Sequence, residues 1–151
     1  MKAKTLFRTD IALILTFIPT AVSGISLHLA GHNAAHSVWH NWAVAHSLVS
    51  LAFSITCAIH IYGHWAWYKS LFRNGLVNKS RITLLLSLLM LATILTGNIV
   101  LVRHQGPLTD FGIWHFALGI ILSLIALGHL IKRIKILKKR LNGQKETCER
   151  G

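Results

Sequence analysis

Residues 42–67 read Trp42-Ala-Val-Ala-His46-Ser-Leu-Val-Ser-Leu-Ala-Phe-Ser-Ile-Thr-Cys-Ala-Ile-His60-Ile-Tyr-Gly-His64-Trp65-Ala-Trp67. A helix needs roughly 20 mostly apolar residues to cross the hydrocarbon core of a bilayer. This stretch is long enough, and no formally charged side chain occurs anywhere between Asp10 and Lys69. It nevertheless carries three histidines, an expensive choice at membrane depth. Three further apolar runs lie around it, at about Ile11–Leu29, Ile82–Val102 and Phe111–Ile131. Only 13% of the chain is charged, about half the share of a soluble domain. These features exclude a soluble enzyme, a disordered chain and a simple nucleic-acid binder.

The fold expected is therefore all-α, an integral membrane four-helix up-down bundle. Helices are the default because an open strand edge has no hydrogen-bond partner in lipid. Short linkers make sequential helices antiparallel neighbours. Pro19 is expected to kink the first span, and Gly97 to loosen the third or admit a close neighbour. Residues 1–140 form the bundle domain, with 141–151 expected as a disordered cytoplasmic tail.

The net charge of +12 reads as a topology signal. Lys2, Lys4 and Arg8 precede the first span, and Lys69, Arg73, Lys79 and Arg81 separate the second and third. Eight basic residues from Lys132 to Arg150 follow the fourth. Arg103 alone sits on the other side. The positive-inside rule puts both termini in the cytoplasm, and the basic run after the fourth span suits anionic lipid headgroups. The N-terminal stretch through Ala21-Val22-Ser23 has the layout of a signal peptide. It is read as a retained span, since its loss would break the four-helix count. Cys57 and Cys148 form no disulfide framework and no covalent haem motif.

The histidines carry the chemistry. His46 and His60 are fourteen residues apart, as are His115 and His129. Fourteen residues bring a helical side chain back to within about 40° of the same face, about 21 Å along the axis. The second and fourth helices run in the same direction. His46 then faces His115 at the outer level, and His60 faces His129 at the inner level. Two facing neutral imidazoles are the axial set of a six-coordinate haem. The reading is two b-type haems, weighed against isolated histidines that only hydrogen-bond inside a core. Ser50 and Gly119, one turn from His46 and His115, leave room for a haem face. The chain also reads as a repeat: Ser23-Gly24 precedes the first histidine pair and Thr96-Gly97 the second.

This paired spacing resembles cytochrome b of the quinol–cytochrome c reductases. The size resembles the four-helix haem subunits of membrane formate dehydrogenases and nickel–iron hydrogenases. Most similar is an uncharacterised bacterial four-helix membrane family related to those subunits. Its pattern is seen in Trp39, Trp42 and His46, then His60-Ile-Tyr-Gly-His64-Trp65-Ala-Trp67. The resemblance implies a dihaem b-type cytochrome in a bacterial cytoplasmic membrane. The resemblance implies no particular donor or acceptor; the function expected is to carry electrons between the quinone pool and a soluble or membrane redox partner.

Other residues keep alternatives open. His64 replaces His60 as a ligand, binds a propionate or borders a quinone site. Trp65, Trp67 and Tyr68 form an interfacial belt or border that quinone site. Arg103, beside His104, is a partner for outer haem propionates, as are Lys69, Arg73 and Lys132 for inner ones. His28, His32, His36 and His40 form a ladder with spacing four. It is read as a polar loop over the outer haem, or as a site for Zn, Cu, Ni or iron. A ladder that holds metal makes the chain a stand-alone ferric or cupric reductase, and intramembrane histidines without haem make it a non-haem metal-binding protein.

Overall fold

The computed structural model describes residues 3–74, 81–103 and 106–149. Lys2, Lys79, His104 and Arg150 lie outside them. Among the described residues the chain is all-helical, with α1 Ala3–Asn33, α2 His36–Gly63, α3 Trp65–Asn74, α4 Arg81–Val102 and α5 Asp110–Glu149. Four stretches are long and apolar enough to cross a membrane: Arg8–Asn33, His36–Gly63, Arg81–Val102 and Asp110–Lys132. The protein is thus a multi-pass membrane four-helix bundle. Its packing is pairwise: α1 lies along α2, α4 along α5, and α1 joins the hairpins by touching α5.

Several boundaries differ from the sequence expectation. α1 continues to Asn33 and α2 already begins at His36, so the expected linker around 30–41 shrinks to Ala34 and Ala35. Ala35 is extended (φ −58°, ψ 151°) and makes the turn. Backbone groups at the edge of a bilayer are best satisfied by continuing the helix, so α1 runs through Gly31 and stops only at Asn33. α2 ends at Gly63, so Trp65 and Trp67 belong to the separate helix α3. At the break the His64 N–H donates to the His60 carbonyl at 3.1 Å and the Ile61 carbonyl at 3.0 Å. Carbonyls left over at the end of α2 are thereby used. α5 runs on through 141–149, where a disordered tail was expected.

Polar side chains tie α1 to α2. The Thr16 and Thr56 hydroxyls lie 3.0 Å apart, and the Thr20 hydroxyl reaches the Val49 carbonyl at 3.2 Å. Lipid tails give two apolar helices little reason to associate, so such contacts and close packing do that work. Near them Phe17 and Phe53 pack with ring centres 5.8 Å apart. Phe53 is midway between His46 and His60, and Leu122, buried at 7% exposure, is midway between His115 and His129. Apolar side chains therefore separate the two histidine levels.

The Thr16–Thr56 contact gives a measurable coupling. Valine at either position is expected to lower bundle stability, and a double-mutant cycle should return about 0.6 kcal/mol. Reversible unfolding in mixed detergent checks this, and strict additivity would show the contact contributes nothing.

Candidate functional site

His46 on α2 and His115 on α5 come together from the two hairpins. Their ring centres are 6.0 Å apart with the planes at 68°. Each ring lies against the other helix of its own hairpin. A Cβ added at Gly24 would meet His46 Cε1 at 3.0 Å, and one added at Gly97 would meet His115 Cε1 at 2.8 Å. Only glycine lets the backbone come this close. Ser23-Gly24 and Thr96-Gly97 stand out in the sequence as repeat markers, and in the structure their glycines seat the two imidazoles.

Hydrogen bonds fix the ring nitrogens. His115 Nδ1 lies 3.1 Å from the Thr93 carbonyl and 3.3 Å from the Thr96 hydroxyl. A carbonyl only accepts, so Nδ1 carries the proton and Nε2 keeps its lone pair. On the other side, the Ser23 hydroxyl donates to the Thr20 carbonyl at 3.1 Å. Its oxygen then accepts from His46 Nδ1, also at 3.1 Å. The Ser50 hydroxyl stands 3.4 Å from His46 Nε2. Ser23 is buried, at 5% exposure. A group that accepts from Nδ1–H is the arrangement that readies Nε2 of a histidine for a metal.

The distance fits the same use. Two imidazoles on opposite sides of one first-row metal atom, each bound at about 2.1 Å, hold their ring centres roughly 6 Å apart. Gly119, one turn along α5 from His115, has nothing within 4 Å of where a Cβ would stand. A flat macrocycle needs such open space beside its ligand.

The second level is built differently. His60 Nδ1 lies 3.0 Å from Asp10 Oδ1, and the His60 ring is 4.7 Å from that of His64. Asp10, His60 and His64 each offer a ligand atom, and these atoms fall within 4.8 Å of one another. Sequence reasoning passed over Asp10. The signal was present: Asp10 is the only acidic residue before Asp110, and it stands at the start of the span antiparallel to the one whose last turn holds His60. His129 is half-buried on α5, next to Gly128.

The histidine ladder is divided between two helices. His28 and His32 close α1, with ring centres 5.2 Å apart, and His28 stacks on Phe116 at 3.8 Å. His36 and His40 open α2, stacked at 5.9 Å. Among the described residues, Asp10–His60–His64 is the only group of three or more His, Cys, Asp or Glu donors gathered within that reach. Arg103 is exposed, with its guanidinium 5.5 Å from the centre of the Phe111 ring. Tyr68 is held by a 2.7 Å hydrogen bond to the Ser87 hydroxyl. Lys69, Arg73 and Lys132 are exposed.

No protein-family model, curated protein or solved structure matches the chain.

The glycine seats can be tested directly. Gly97→Ala forces the His115 ring to move and is expected to cost about 1–3 kcal/mol. Gly119→Ala meets open space and should be neutral or mildly stabilising. Thermal unfolding in detergent compares the two, and equal effects would mean that the seat at Gly97 is not needed.

Proposed function

We propose that the protein is a b-type cytochrome that carries electrons through the membrane between the quinone pool and a redox partner. The observation that carries this is the His46–His115 pair: two imidazoles from different hairpins, 6.0 Å apart, each seated on a glycine. Haem b, when bound, supplies one-electron redox chemistry. The chain's part is to hold and orient the iron ligands. Thr93 and Thr96 fix the His115 tautomer, and Ser23 fixes that of His46. A bare metal ion needs no flanking space, whereas the open face at Gly119 and the sparse packing between the hairpins favour a macrocycle.

The two-haem form of this reading takes His60 and His129 as the second pair of ligands. The number of haems per chain reads that level: two would put His60 and His129 on a second iron. One would leave His60 to Asp10 and His64. The basic residues at one end of the bundle support an orientation with both termini cytoplasmic in a bacterial inner membrane. Arg103, at the other end, is the available cation for outer propionates. A quinone near Trp65, Trp67 and Tyr68 would meet the Tyr68 hydroxyl at the end of the bundle. The ferric or cupric reductase reading has less support, because the ladder histidines do not converge on a common centre.

The test is a pyridine haemochrome assay on the detergent-purified protein, with a reduced-minus-oxidised spectrum. At least one haem b per chain is expected. His46→Ala and His115→Ala should each abolish the haem of that level. Ser23→Ala should keep the fold and weaken haem retention by about 10–100-fold. Protein free of haem from a haem-replete host would discard the cytochrome reading and favour a non-haem metal-binding protein.

A further inference from the structure

A few positions in the two halves of the chain correspond at fixed offsets. His46 and His115 are 69 residues apart, as are His60 and His129, and Thr20, Ser23 and Gly24 lie 73 before Thr93, Thr96 and Gly97. At the His46 level both halves keep the same parts: Thr, Ser or Thr, Gly and His. At the His60 level they do not. The same offsets carry Asp10 to Thr83 and His64 to Arg133. The first half alone has a carboxylate and a second imidazole beside its histidine.

Those three groups meet in space. Asp10 comes from the start of the α1 span and faces the end of α2, where its Oδ1 reaches His60 Nδ1 at 3.0 Å. His64 follows His60 by one helical turn, the spacing at which two helical histidines share a metal. The backbone bond from His64 N–H to the His60 carbonyl, 3.1 Å, keeps it on that turn although α2 ends there. A simple ion pair would use Asp10 and His60 only. The third donor, drawn within 4.8 Å of both, is what a pair does not explain. Ligand atoms on a tetrahedral centre with bonds of about 2.0–2.1 Å stand about 3.3 Å apart, so a small side-chain rotation closes the set. Two imidazoles and one carboxylate suit zinc, ferrous iron or manganese, and three protein donors leave a position open for water or another ligand.

We propose that Asp10, His60 and His64 bind one divalent first-row transition metal ion at the His60 end of the bundle, separate from the His46–His115 site. The site belongs to the first hairpin and does not depend on haem binding at the other level. His60 is then not free for a second haem, and one haem per chain is the companion expectation.

The experiment is equilibrium dialysis of the full-length protein in detergent against micromolar Zn²⁺, with zinc and iron counted by elemental analysis. Asp10→Asn and His64→Gln are each expected to bind one zinc fewer per chain than the unaltered protein, or to bind it at least tenfold more weakly. Asp10→Glu, which keeps the carboxylate, should retain it. Unchanged helical circular dichroism and gel-filtration behaviour show that each variant is folded. Equal zinc binding by the unaltered protein and both variants overturns the proposal. So does a second haem that is lost in His60→Ala. His46→Ala losing haem while still binding zinc supports it, and separates its fate from that of the cytochrome reading.

Discussion

An imidazole inside a bilayer must find its polar partners within the protein, because lipid offers none. His46 and His115 find theirs on the neighbouring helix of the same hairpin: Ser23 for one, Thr93 and Thr96 for the other. Reaching them brings the ring against a helix backbone, and Gly24 and Gly97 are where that approach becomes possible. Each hairpin is thereby set at a short interhelical distance around a histidine. The two histidines then point into the region between hairpins, where their rings meet.

The same logic with different parts governs the His60 level. There the partner for the imidazole is a carboxylate, Asp10, placed near the end of a span where a charge can still reach water. An ionised group at the membrane centre would be far more costly, so a carboxylate suits this level and hydroxyls and carbonyls suit the other. The matching positions in the two hairpins give both levels a pair of histidines. Asp10 and His64, against Thr83 and Arg133 at the corresponding positions, give the first hairpin a donor set that the second lacks.

Much was legible in the sequence. Four spans followed from apolar length, and the meeting of His46 with His115 followed from helical period and direction. Ser23-Gly24 and Thr96-Gly97 were visible as repeat markers without their purpose, since a glycine seat exists only once a neighbouring helix is in place. The ladder from His28 to His40 keeps a helical spacing throughout, although it runs from the first span into the expected linker. The turn at Ala34 and Ala35 divides it, and no local rule in the sequence marks two alanines as a break. α2 was read past its end because Trp65 and Trp67 are as apolar as the span they follow.

The sequence by itself determined a membrane-spanning helical bundle and the face on which each histidine lies. Those depend on hydropathy and on a period of 3.6 residues, which are local properties of one helix. Tertiary structure alone decided the partners. Asp10 and His60 are fifty residues apart and meet because α1 and α2 pack antiparallel. Thr93 offers His115 a backbone carbonyl, an atom that every residue has and that no pattern of side chains can single out.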